Sequence, residues 1–230
     1  MFVTENLKNV EERIQSACRR AGRAREEVTL ICVTKTKPIE MLQEAYEAGQ
    51  REFGENKVQE IVRKVPKLPD DIRWHMIGHL QRNKVKQLIG RAVMIHSVDK
   101  LSLAETISNE AVKNGIVMPI LIEVNVAQEE SKFGITDEET KELVRQISKL
   151  PGVCVKGLMT IAPYTEDPES NRPYFRRLRE LSVDIKQESL DNVFMDVLSM
   201  GMTGDFEVAI EEGATHIRVG TAIFGERIYS

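Results

Sequence analysis

Apolar, β-branched runs alternate with helically spaced apolar residues from one end of this chain to the other. The opening segment predicts an amphipathic helix over 4–21. The run VTLICVT (28–34) is apolar at nearly every position, as a strand buried on both faces of a parallel sheet must be. Pro38 suits the first turn of a helix running to Ala48, and Gly49 suits its end, before a short strand at 51–53. The same alternation continues with helix 57–64 and strand 73–77, then helix 83–89 and strand 93–96. Helix 101–114 precedes strand 119–126, and helix 137–150 precedes strand 155–158. Helix 173–187 precedes strand 194–198, and helix 206–212 precedes strand 216–219 and a short segment from Thr221. Strands separated by helices predict parallel βαβ units. Eight of them without an antiparallel section predict one (β/α)8 TIM-type barrel, preceded by an N-terminal helix, rather than an open doubly wound sheet. AYEAGQREFG (45–54) and AIEEGATHIRVG (209–220) share a helix–glycine–strand order, consistent with repeated βα units. No linker rich in Gly, Ser or Pro divides residues 1–230, so one domain is expected.

Length changes this picture little: 230 residues sit near the ~250 typical of such barrels. With 41% hydrophobic residues and a net charge of -4, the chain has a core-forming composition that excludes wholesale disorder. No run approaches the roughly 20 apolar residues of a membrane span, and the charged N-terminus lacks the apolar core of a signal peptide. Cys18, Cys32 and Cys154 are odd in number and widely spaced, as buried thiols in a reducing cytoplasm would be. A mildly acidic chain lacks the electrostatic footprint of a nucleic-acid binder. Arg172, Arg176, Arg177 and Arg179 lie among helix formers and read as a solvated helix face. His75, His79, His96 and His216 have no spacing that completes a metal site, so polar barrel-end residues are expected there.

In a (β/α)8 barrel, chemistry belongs to the loops after the strands, and the loops after strands seven and eight commonly hold phosphate. These loops carry SMGMTGD (199–205) and IRVGTAIFG (217–225). Gly201 and Gly204 let backbone approach an anion, Ser199 and Thr203 supply hydroxyls, and Gly220 and Thr221 lie at a helix start. Tight turns alone would also account for the glycines. Lys35 ends the first apolar strand, where burial would lower its pKa and favour the neutral amine of a Schiff-base lysine; an ordinary salt bridge is the alternative. Lys37 abuts the helix start and is expected in solvent. A lysine facing a phosphate cradle is the pair that pyridoxal phosphate (PLP) requires. Arg218, in the last strand, could donate to a pyridine nitrogen or pair with Glu123 or Asp196.

Six segments, in order, carry a family resemblance: VTKTKP (33–38), FGENKVQE (53–60), WHMIGHLQRNK (74–84), SKFG (131–134), GLMTIAP (157–163) and the stretch 198–225. They resemble the pyridoxal phosphate homeostasis protein family, essentially end to end. The resemblance implies a barrel like the N-terminal domain of bacterial alanine racemase. It implies PLP carried on Lys35 and contacted by Arg218, with phosphate contacts from Ser199, Met200, Gly220 and Thr221. Asn56 and His79 match positions lining the pocket. Thr203 stands where many relatives have serine, and Lys57 where an aromatic is common.

The racemase likeness raises an enzymatic alternative, a small PLP-dependent amino-acid racemase. Racemisation needs an acid/base on each face of the cofactor. In racemases the second is a tyrosine from a separate C-terminal β domain, for which no sequence is left here. Tyr46, Tyr164, Tyr174 and Tyr229 fall in helices, polar loops or the chain end. The expectation is therefore a non-catalytic, monomeric, cytoplasmic PLP carrier in vitamin B6 homeostasis, with apo-PLP enzymes as recipients. A barrel enzyme forming an imine with a phosphorylated sugar is the third class.

Overall fold

The computed structural model describes residues 2–127 and 133–226. Eight parallel strands pair in chain order: β1 (Thr29–Val33), β2 (Glu52–Glu55), β3 (Arg73–Met76), β4 (Ala92–Val98), β5 (Met118–Glu123), β6 (Val153–Met159), β7 (Val193–Ser199) and β8 (His216–Val219). β8 returns to β1, pairing Thr29 with His216 and Cys32 with Val219, and closes the barrel. The predicted order of elements is therefore the observed one, with shifted boundaries. β2 starts and ends later than expected and takes Glu55 into the sheet. β5 stops at Glu123, because Val124 leaves the ladder for a bridge to Ile135.

Helices α1 (Phe2–Arg20), α2 (Ile39–Glu47), α3 (Val58–Lys64), α4 (Val85–Leu88), α5 (Leu101–Lys113), α6 (Asp137–Ile147), α7 (Arg172–Gln187), α8 (Phe206–Glu211) and α9 (Thr221–Phe224) complete the fold. In α1, Val3, Leu7, Val10, Ile14 and Ala17 recur on one buried stripe, packed chiefly against α8, α9 and α2. Thr136 starts α6 through a reciprocal capping box with Glu139. The principal core lies between strands and helices, where β-branched and Leu side chains fill both layers. Inside the barrel, Leu121, Met159 and Val197 form a smaller apolar cluster.

Two surface expectations change. The arginines of α7 are not merely solvated: Arg172 pairs with Glu169, Glu211 and Glu212, Arg176 and Arg179 with Glu212, and Arg177 with Asp137. They tie α7 to its neighbours. Lys37 is not solvated either: its Nζ donates to the carbonyls of Phe224, Gly225 and Glu226 at 2.8–3.0 Å, capping the end of α9. Among the described residues, no helix is long and apolar enough to cross a membrane.

Candidate functional site

Lys35 sits in a tight turn directly beyond β1. The Lys37 amide donates to the Thr34 carbonyl at 3.1 Å, and Thr36 between them has φ +63°. That left-handed conformation is costly for a β-branched residue, so the surrounding structure must hold it. Fully buried Lys64, from α3, donates to the Thr34 carbonyl at 2.8 Å and to Glu55 Oε1 at 2.6 Å. It also reaches Glu60 Oε1 at 3.2 Å, and the same oxygen accepts the Thr36 amide at 3.0 Å. The backbone on both sides of Lys35 is thus clamped by one ammonium and one carboxylate. Burial raises the Glu55 carboxyl, with Lys64 opposing, and Glu55 Oε2 is buried without a partner among the described residues.

Lys35 lines a cavity of about 600 Å³ at the C-terminal mouth of the barrel. Beside it, the loops after β7 and β8 contribute Thr203, Gly204, Gly220 and Thr221 to the same cavity. Asp205 shapes the first of these loops, its Oδ1 accepting the Met202 amide at 2.7 Å and its Oδ2 accepting Asn171 Nδ2 at 2.8 Å. A Cβ at Gly204 would meet nothing within 4 Å, whereas one at Gly220 would press on Val33 at 3.3 Å. Gly204 therefore leaves room at the cavity wall, and Gly220 lets β8 close against β1. Small residues, hydroxyls and the start of α9 make this wall fit a phosphate.

Arg218 forms part of the cavity wall and is almost fully buried. Its Nη1 donates to Ser199 Oγ at 2.6 Å and its Nη2 to the Thr160 carbonyl at 2.7 Å. Burial lowers its pKa to about 10, with Glu123 and Asp205 opposing, so it stays cationic at neutral pH. Neither Glu123 nor Asp196 pairs with it directly: Asp196 binds Lys186 outside the barrel. Glu123 is 4% exposed, and burial, with the nearby Asp99 charge adding, pushes its carboxyl up to about 7.

The expected site residues thus separate into two groups. Lys35, Asn56, Arg218, Gly220 and Thr221 meet around one cavity. Ser199 and Met200 lie fully buried and do not line it. The Met200 amide donates to the His216 carbonyl and the Gly201 carbonyl accepts from Arg218, so this stretch extends β7 against β8. His79 lines two neighbouring grooves instead, one shared with Asn56, and stacks on Phe133 with ring centroids 4.2 Å apart. Of the tyrosines, Tyr164 reaches the cavity lip from the loop after β6, 94% exposed. Tyr46 stacks under Arg51 and Tyr174 lies on α7, while Tyr229 and residues 131–132 of SKFG fall outside the described residues.

Residues 6–228 match the family model for the alanine racemase N-terminal domain. A protein of Aquifex aeolicus named pyridoxal phosphate homeostasis protein is 53% identical over 230 residues, covering all of both chains. One of the same name from Escherichia coli is 38% identical over 233 residues, covering 99% of this chain and 98% of that one. This chain belongs to the pyridoxal phosphate homeostasis protein family. PipY of Synechococcus elongatus, solved with PLP bound, superposes with a TM-score of 0.84 at 34% identity, over 97% of this chain and all of PipY. PLP binding is thereby shown for PipY. Alanine racemase from Streptomyces coelicolor shares the barrel alone, at 16% identity and a TM-score of 0.70 over 59% of its length. Sequence reasoning gave no role to Lys64, Glu60, Asn171 and Asp205, which position the cavity without carrying a chemical signature of their own, although Glu60 and Asp205 fall within the stretches it singled out. No cluster of three metal-ligating side chains exists among the described residues.

Proposed function

We propose that this protein holds PLP as a Schiff base on Lys35 and buffers or delivers it within the cytoplasm, without catalytic turnover. The observation that carries this reading is the convergence of Lys35, Arg218 and the Gly204–Gly220–Thr221 wall on one cavity. PLP supplies an aldehyde that condenses with an amine and releases water. The Lys64–Glu60 clamp orients the Lys35 turn, and the loops after β7 and β8 take the phosphate. Arg218, which only donates hydrogens, would hold the pyridine nitrogen unprotonated and leave the bound ring a poor electron sink. Ser199 and Met200 support this wall from beneath, Asn56 would flank the ring, and His79 lies in the groove that shares Asn56 with the cavity. The names of the full-length relatives support a homeostatic role; apo-PLP enzymes as recipients and a monomeric holder belong to the proposal alone.

The test is spectroscopic. Incubation with PLP should give a visible band that borohydride fixes covalently to Lys35, and Lys35→Ala should abolish both. No band in the wild-type protein sinks the proposal. A second reading is favoured by Tyr164, an acid/base side chain on the cavity lip: a PLP-dependent racemase with Tyr164 opposite Lys35. Its near-complete exposure argues against it, because carbanion chemistry benefits from excluding water. Steady interconversion of amino-acid enantiomers, lost in Tyr164→Phe, would establish the enzyme in place of the carrier.

A further inference from the structure

Beneath the cavity, polar side chains cross the barrel interior as an unbroken chain. Arg218 Nη1 lies 2.6 Å from Ser199 Oγ, and that oxygen lies 2.9 Å from His96 Nδ1. His96 Nε2 lies 2.9 Å from His75 Nδ1, and His75 Nε2 lies 2.6 Å from Glu52 Oε2. Glu52 is the first residue of β2, at the opposite, N-terminal end of the barrel, where Arg73 also holds it at 2.6 Å. Ser199, His96 and His75 are essentially inaccessible to water. None of them belongs to the cavity wall.

Donor and acceptor counting fixes the direction of this chain. A guanidinium only donates, so Ser199 Oγ accepts from Arg218 and turns its own hydrogen to His96 Nδ1. His96 then carries its proton on Nε2 and donates to His75 Nδ1. His75 carries its proton on Nε2 and donates to the Glu52 carboxylate. Every hydrogen is used, both imidazoles are neutral, and charge resides only at the two ends. The opposite direction would strand the Ser199 hydrogen, or place a second cation beside Arg218 in the barrel interior. Burial, with the Arg218 charge nearby, holds His96 well below its ordinary pKa, in keeping with a neutral ring.

We infer that His96 and His75 are positioning residues that anchor Arg218 toward the cofactor ring through Ser199, in a neutral relay terminated by Glu52. The inference rests on the PLP-holding reading only for what Arg218 faces. It assigns the three interior histidines distinct roles: His75 and His96 form the relay, while His216 Nδ1 turns aside to Thr215 Oγ1 at 3.0 Å. The relay also gives Arg218 a rigid seat without a directly paired carboxylate, which would otherwise quench the charge offered to the ring.

The first measurement needs no cofactor. Nitrogen-15 NMR of the full chain near neutral pH should show His75 and His96 both neutral and both as Nε2–H tautomers; a protonated ring or an Nδ1–H tautomer in either overturns the inference. The second compares His96→Leu with His96→Gln, whose amide can accept from Ser199 and donate to His75. The leucine variant should bind PLP about tenfold more weakly and shift the visible band, as expected for losing one support of a charged group, while glutamine restores both. Unchanged affinity and band in a folded His96→Leu protein also overturn it. If that variant does not fold, the tautomers decide. Failure of the wild-type chain to bind PLP would instead defeat the functional reading and leave the tautomer result standing on its own.

Discussion

Lys64 shows how a residue can be decisive and still unremarkable in sequence. It falls four residues after Glu60 on a short helix, the spacing of a solvated ion pair worth a few tenths of a kcal/mol. In the fold it is fully buried between Glu55, Glu60 and the Thr34 carbonyl. Removing one member of a buried pair leaves its partners uncompensated, so Lys64→Met should destabilise by about 3–5 kcal/mol. Adding Glu55→Gln should recover part of that loss. Glu60→Gln is the milder probe of the turn itself: the protein should stay folded but form the Lys35 band more slowly, because the Thr36 amide loses its charged acceptor. Denaturant midpoints and stopped-flow absorbance check both; equal band formation in Glu60→Gln would show that the turn holds itself. Lys35 itself was legible because an ammonium after an almost wholly apolar run stands out. Lys64 was not, because its burial depends on where α3 packs.

At the scale of elements, the order of strands and helices was readable from apolar periodicity, since a parallel barrel demands continuous apolar strands. What the pattern could not convey was which strand ends approach one another. Gly78, just beyond β3, illustrates this: a Cβ there would lie 2.5 Å from the Asn56 carbonyl and 2.7 Å from its Cα. The glycine lets the loops after β2 and β3 nest, and the Ser97 hydroxyl holds the Gly78 carbonyl at 2.6 Å. Gly78→Ala must therefore displace Asn56, at an overpacking cost of about 1–3 kcal/mol. The expected result is weaker PLP retention, measured by dialysis or fluorescence, with the Lys35 band still present. Retention equal to wild type would show that Asn56 contributes nothing to binding. The interior relay was hidden for the same reason: His75, His96 and Glu52 are single polar letters in three neighbouring strands, and only barrel closure brings Ser199 of β7 to them.

For the molecule as a whole, the polar groups enclosed by the barrel make stability depend on pH in two opposed ways. Glu123 is raised from 4.5 to about 7, so the folded state holds a proton that the unfolded chain releases between those values. Its contribution therefore falls as pH rises through that window. His216 is lowered from 6.5 to about 4, chiefly by burial, so the unfolded chain binds a proton that the folded state refuses. Its contribution is full above pH 6.5 and is lost as pH falls toward 4. Glu55 and His96 act in the same two senses, respectively. The slopes oppose each other, so the wild-type profile should be shallow between about pH 4.5 and 6.5. Single variants should unmask each side. Glu123→Gln should gain up to about 3 kcal/mol on wild type as pH rises to neutrality, and so fall off more steeply on acidification. His216→Gln should do the reverse, keeping its stability in acid and losing it toward neutral pH. Urea midpoints across a pH series check both, and parallel profiles for the three proteins would show that these groups titrate alike in the folded and unfolded chain.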